Sequence, residues 1–161
     1  MNEYLRLIME VENIRIHGDN ILECERTLHL IALSLDSKAI YRNSPIHNPL
    51  YAIKDEKSKK IVSIQLFPGY NRWGVDIYKE LQRLGAPLRE ATDSLVTRKI
   101  NGKEEIVFSI EYCNALPAGN NAWQRTGRAL TSASVDIPYI YVSDVGGVEI
   151  DQDRKQKAPR F

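Results

Sequence analysis

A chain of 161 residues with 43% hydrophobic and 27% charged side chains has the size and composition of one ordinary globular domain. Its 22 Lys and Arg stand against 21 Asp and Glu, a net charge of +1 that neither points to nucleic acid nor excludes it, since a local basic face can sit on a neutral whole. No apolar run reaches the ~18 residues of a transmembrane helix, and MNEYLRLIMEVEN carries acids too early for a secretory leader.

The two cysteines, Cys24 and Cys113, lack metal-ligand spacing, so we expect a reducing, cytoplasmic setting. In chain order, IHGDNILECERTLHLIALSLDS predicts the best helix, with Asn20 as N-cap and Glu23 completing a capping box. Ile21, Cys24, Leu28, Ile31 and Leu35 form an apolar stripe, widened by Leu30, Ala32 and Leu33. YRNSPIHNP reads as a loop. LYAIKD and KIVSIQLF, rich in β-branched and aromatic residues, predict two strands around the turn EKSK. PGYNRW breaks the pattern. GVDIYKELQRLG then places Val75, Tyr78 and Leu81 or Leu84 at helical spacing, with Gly85 as C-cap.

LREATDSLVTRKI and KEEIVFSIEYCNAL predict a hairpin closed by Asn101-Gly102. PAGNNAWQRTGRALTSA predicts a helix capped near Asn120 or Asn121, and IPYIYVSDV a last strand. The order is helix, two strands, helix, hairpin, helix, strand. It argues for an α/β (α+β) fold, a mixed central β-sheet flanked by helices. We expect one domain over 1–145. Residues 146–161 read as a polar tail or the start of a following region, and a fragment of a longer chain is the expectation.

Alternation along IVFSIEYCN assigns Val107, Ser109, Glu111 and Cys113 to one face and Ile106, Phe108, Ile110 and Tyr112 to the other. An ionised carboxylate is costly to bury unpaired, so Glu111 at the strand end either reaches solvent or meets a cation. Asp93 lies on the partner strand, and the hairpin register decides whether the two acids meet. A two-residue Asn101-Gly102 loop pairs Ile100 with Lys103, sets Asp93 opposite Ile110 and turns it away from Glu111. A three-residue loop, or a bulge near Asp93, brings both acids to one face. Adjacent carboxylates repel unless a cation sits between them. Such oxygen ligands suit Mg²⁺, which can activate water at a phosphodiester. On the first helix Glu25 lies beside the apolar stripe and is the better placed of its acids to face a site, whereas Glu23 lies off the stripe and already has a capping role.

Gln124 and Arg128 are four residues apart and share a helix face, with Arg125 beside them. Arginine grips phosphate bidentately, and the helix start after Ala118-Gly119-Asn120 favours an anion. An ordinary solvated helix face carries the same pattern. FPGYNRWG groups Tyr70, Arg72 and Trp73 in a loop, a combination that contacts nucleic acid in some proteins and covers a helix end in more. His17, His29 and His47 are scattered, with His29 read as structural, and no Gly-rich phosphate loop occurs.

A helix bearing an acid, then a strand Asp, a hairpin, a strand Glu and a polar helix together resemble the PD-(D/E)XK nuclease superfamily. GDNILECER with EYCNALPAGNNAWQRTGRA looks most like type II restriction endonucleases, and the resemblance runs from about His17 to Val145. It implies that Asp93 and Glu111 are the motif acids that bind Mg²⁺, and that Glu25 or Glu23 is the acid of the first helix. The motif lysine, two residues beyond the Glu, is Cys113 here, a neutral thiol that cannot orient the attacking water or stabilise developing charge. Gln124, with Arg125, Arg128 and Asn120 around it, is the candidate substitute, in a Gln-x-x-x-Arg pattern where some branches have Gln-x-x-x-Tyr. The implied activity is Mg²⁺-dependent cleavage of double-stranded DNA. Cutting both strands calls for a homodimer, a second nuclease subunit or an additional domain. The alternatives are a non-catalytic DNA-binding or assembly domain on a nuclease-like fold, and a structure-specific repair or junction nuclease.

Overall fold

The computed structural model describes residues 12–43, 49–70, 76–113 and 120–143. Asn121 falls in the last of these, but its side chain and that of Asn120 lie outside the description, as do Arg72, Trp73, Val75, His47, Ala118, Gly119 and the 146–161 segment.

Seven strands form one mixed sheet. They are β1 (Glu12–Gly18), β2 (Ile40–Arg42), β3 (Leu50–Lys54), β4 (Ile61–Pro68), β5 (Ser94–Ile100), β6 (Lys103–Cys113) and β7 (Tyr139–Ser143). Their order across the sheet is β2-β3-β4-β1-β5-β6-β7. β1 runs parallel to β4 and β6 parallel to β7, while the remaining neighbours are antiparallel. The mixed sheet expected from the sequence is therefore present.

β1 was not among the expected strands, although it sits at the sheet's centre. In ENIRIHG, Ile14 and Ile16 alternate with Arg15 and His17, which reads like a solvent-facing edge. Both faces of β1 are in fact covered. Ile16 is buried in one core, and His17 is buried on the opposite side, stacked on Phe67 with ring centroids 4.9 Å apart. Burial, and then the Arg15 charge, push the His17 imidazole down to about 4, so it is neutral at pH 7.

Helix α1 (Ile21–Ser34) covers one face of the sheet. It starts where the sequence places it, with the Asn20 side chain accepting from the Leu22 and Glu23 N–H groups at 2.9 and 3.2 Å. Cys24, Leu28, Ile31 and Ala32 pack on Ile16, Ile64, Leu66 and Val96. Each such aliphatic side chain contributes about 1.5–3 kcal/mol when fully buried. The stripe is narrower than expected, because Leu33 is 72% exposed and Ile21 is also exposed. Gly18 permits the close approach of α1 to β1, since a Cβ there would stand 2.6 Å from Cys24 Sγ.

Helices α2 (Ile77–Arg83) and α3 (Asn120–Ser134) lie on the other face. α2 begins at an Asp76 cap and ends before Gly85, whose φ of +105° suits glycine. Ile77 and Leu81 pack with Tyr70, Ala91, Leu95 and Ile137. Leu84, one of the two alternatives for this stripe, is exposed. His29, read as structural, is exposed on α1. No helix among the described residues is long and apolar enough to cross a membrane.

The β5–β6 hairpin carries the register on which the acid pair depends. Asn101 and Gly102 both have positive φ, +50° and +81°, the conformation of a two-residue primed turn, and Ile100 pairs with Lys103. The register then shifts: Thr97 pairs with Ile106, but Val96 pairs with Phe108. Val107 is the extra residue of a β-bulge. It corrects the simple alternation expected along β6, because Ile106 packs with Leu95 on the α2 face while Phe108 packs with Val96 on the α1 face. Beyond the bulge Ser94 pairs with Ile110, which carries Asp93 opposite Glu111. Of the two routes that bring the acids together, the chain uses the bulge.

Candidate functional site

Asp93 precedes β5 and Glu111 lies near the end of β6, so the pair sits at one end of the sheet. The two carboxylates are held by reciprocal backbone bonds. The Tyr112 N–H donates to Asp93 Oδ2 at 2.8 Å, and the Asp93 N–H donates to Glu111 Oε2 at 3.3 Å. Each carboxylate thus has one oxygen tied to the main chain. The other two, Asp93 Oδ1 and Glu111 Oε1, converge on a single nitrogen, Arg128 Nη1, at 2.7 and 2.8 Å. Charge-assisted bonds of this length are among the strong ones.

Glu111 is 1% exposed. Burial and the neighbouring Asp93 charge raise its carboxyl above the usual range, against the opposing pull of Arg128. For Arg128, burial works against the charged form, but the two carboxylates outweigh it and raise its already high value. Arg125, one turn earlier on α3, approaches the same oxygen, with Nε 3.7 Å from Glu111 Oε1. Its Nη1 is buried with no hydrogen-bond partner among the described residues.

Serine contacts seat α3 for this purpose. Ser109 Oγ, two residues before Glu111 on the same face, lies 3.0 Å from Ser132 Oγ, and Ser132 Oγ donates to the Arg128 carbonyl at 3.2 Å. Ser109 also donates to the Pro138 carbonyl at 3.2 Å, which fixes the approach to β7. Polar groups buried in this way must find partners, and the Ser109–Ser132 contact joins β6 to the helix that carries Arg128.

Two further acids surround the pair. Asp19 follows β1, and its N–H donates to the Asp93 carbonyl at 3.1 Å, so Asp19, Asp93 and Glu111 form a row across adjacent strands. On α1 it is Glu23, not Glu25, that stands in the field of Asp93. Burial, then Asp93, then Asp19, push Glu23 up to about 7, and the Asn20 bonds of the capping box oppose that rise. Glu23 Oε2 is buried without a partner among the described residues. Of the two helix acids the sequence offers, Glu23 is the one with Asp93 and Asp19 beside it, although Glu25 is the better placed by helical phase. Asp19 was not among the candidates, because the strand that positions it was not recognised. Its signal was the alternation in IRIHGD.

The remaining candidates divide. Arg128 and Arg125 join the site, but Arg128 is bound to the carboxylates rather than held open for a phosphate. Gln124 is exposed on α3, and the Asn120 side chain lies outside the described residues. Cys113 is buried, with the Tyr141 hydroxyl in hydrogen-bonding reach. Tyr70, from the aromatic loop, is buried and its hydroxyl donates to the Thr92 carbonyl, so it serves packing.

A cavity of about 420 Å³ lies elsewhere, at the turn end of the hairpin, lined by Arg15, Arg83, Lys99, Lys103 and Glu104 among others. Its arginines are already paired, Arg15 with Glu104 and Arg83 with Glu80, so the acid site is the stronger candidate. Among the described residues no group of three His, Cys, Asp or Glu side chains is arranged to hold a metal ion. Two convergent carboxylate oxygens nevertheless match the small hard-oxygen ligand set that Mg²⁺ takes from proteins. No family model, curated protein or solved structure matches the chain.

Proposed function

We propose that the chain is a divalent-metal-dependent nuclease domain that hydrolyses phosphodiester bonds in double-stranded DNA, with Asp93 and Glu111 as the metal carboxylates. One observation carries the reading. Asp93 Oδ1 and Glu111 Oε1 converge on one cationic point while their partner oxygens are fixed by backbone N–H groups. Such preorganisation is costly to maintain around two repelling acids, and it suits a site that must receive a cation in fixed geometry.

The chemistry that a bound Mg²⁺ supplies is activation of water and neutralisation of charge on the scissile phosphate. Asp93 and Glu111 hold it. The unpartnered Nη1 of Arg125 offers a donor to a phosphate oxygen beside Glu111. Glu23, raised to about 7, can carry or accept a proton near neutral pH at the edge of the site. The restriction-type substrate, the restriction-endonuclease-like fold and the dimer or second subunit are part of the same proposal and rest on the resemblance.

A second reading has its own support. Arg128 already neutralises the carboxylates, and Cys113 stands where the resemblance calls for lysine, as a non-catalytic DNA-binding or assembly domain would allow. Nicking of supercoiled plasmid in Mg²⁺ separates the two. The nuclease reading expects cleavage that EDTA abolishes and that both Asp93→Ala and Glu111→Ala lose. Undiminished cleavage in either variant removes the assigned site, and no cleavage by the folded wild-type protein favours the second reading. Product ends of uniform sequence mark a restriction enzyme, and structure-dependent ends a repair or junction nuclease.

A further inference from the structure

We propose that Arg128 and the divalent cation are alternative occupants of one position, so that metal entry releases Arg128 to the substrate phosphate. The inference rests on the nuclease reading and adds to it the regulation of the site. One nitrogen of Arg128 bonds both oxygens that the metal would need. Two positive charges cannot share those oxygens at contact distance without strong repulsion. The rest of the cluster stays fixed, because Asp93 Oδ2 and Glu111 Oε2 keep their backbone donors whichever cation is present.

Arg128 has somewhere to go. Its side chain is 27% exposed, while its helix is tied to β6 through the Ser109–Ser132 contact. A guanidinium displaced from the carboxylates remains on its anchored helix turn, next to the cation and one turn from Arg125. A substrate phosphate held beside Asp93 and Glu111 would be within reach of both arginines. The metal-free protein is thus held in a neutralised resting state, and its phosphate clamp is assembled only when the metal has bound. Competition from Arg128 weakens metal binding in the absence of DNA, and a phosphate that receives the released guanidinium strengthens it. Metal and DNA therefore bind cooperatively.

Calorimetric titration with Mn²⁺, without DNA, tests the exchange directly. Arg128→Gln removes the competing charge and is expected to bind Mn²⁺ at least tenfold more tightly than wild type. Arg128→Lys keeps the charge and stays close to wild type, and Asp93→Asn loses binding in either background. Equal or weaker binding by Arg128→Gln, with Asp93→Asn still abolishing it, overturns the exchange and leaves the nuclease reading standing. No Mn²⁺ binding by any folded variant overturns both. A measurement on the wild-type protein covers the case in which Arg128→Gln does not fold. The Arg128 guanidinium protons, protected in metal-free protein, should become solvent-exchanging in nitrogen-resolved NMR as Mg²⁺ is added. Protection that persists at saturating Mg²⁺ refutes the proposal.

Discussion

Glu23→Gln is the most informative single substitution, because the structure fixes both its sign and its pH window. Glu23 stands at an ordinary value of 4.5 in the unfolded chain and about 7 in the folded one, raised by burial and by Asp93 and Asp19. A carboxyl whose folded value is raised holds its proton more tightly in the native state. Stability is therefore lost as pH climbs from 4.5 through 7, and the loss is complete above that. The separation corresponds to roughly 3 kcal/mol, and water around a half-buried carboxyl screens it to about 1–2 kcal/mol. Glutamine keeps the reciprocal capping contact with Asn20 but carries no charge, so the cap is not confounded with the electrostatics. Urea denaturation at pH 4.5 and pH 8 should show the variant close to wild type at the lower pH and about 1–2 kcal/mol more stable at the higher. In thermal melts that is roughly 3–6 °C at pH 8. A difference that does not change with pH, or a variant less stable at pH 8 than at pH 4.5 relative to wild type, refutes the electrostatic account. On the nuclease reading the same variant should cleave more slowly while being more stable, as expected where a strained group serves activity.

Two other outcomes follow from packing and register. A Cβ at Gly127 would collide with the Glu90 carboxylate, whose Oε2 is buried without a hydrogen-bond partner among the described residues. Gly127→Ala should therefore show little of the ~1 kcal/mol helix gain in the wild-type background and most of it in a Glu90→Ala background, a coupling that a double-mutant cycle measures and whose absence would falsify the contact. Val107 is the unpaired, exposed residue of the β6 bulge, so its deletion leaves a regular ladder with Ile106 opposite Thr97 and Phe108 opposite Val96. The deletion should keep the fold within about 1 kcal/mol and retain the Asp93–Glu111 pair, visible as unchanged pH dependence in Arg128-sensitive NMR signals. Unfolding of this variant would mean that the bulge serves more than register.

The parts of the fold that were legible in the sequence are those specified within a few residues. The Asn20 cap, the Asn101-Gly102 turn and the three helices each carry their own local chemistry, and each appears close to its expected place. β1 was not legible because its polar positions meet partners distant in sequence: His17 is buried against Phe67 and Arg15 pairs with Glu104. The bulge has no signature in VFSIE itself. It follows only from two requirements taken together, a turn that pairs Ile100 with Lys103 and a site that sets Asp93 opposite Glu111. One strand alone does not decide it, since register is a property of two strands at once.

The same nonlocal placement bears on the choice between nuclease and metal-free DNA binder. Bringing β1 beside β5 adds Asp19 to the pair, and the start of α1 adds Glu23, so among the described residues two further carboxylates stand beside the pair that Arg128 binds and Arg125 approaches. A surface that grips DNA without a cofactor gathers positive charge, yet here Arg128, the arginine that touches both acids, is already bound by them. A phosphodiester approaching Asp93 and Glu111 finds Arg128 engaged with those acids and not open to it. On the proposed nuclease reading a divalent cation would take Asp93 Oδ1 and Glu111 Oε1, the oxygens that Arg128 now binds, and the guanidinium would become a donor to the phosphate. An arginine engaged by two carboxylates is unfavourable for a passive binder and supports the proposed cation-gated phosphodiesterase.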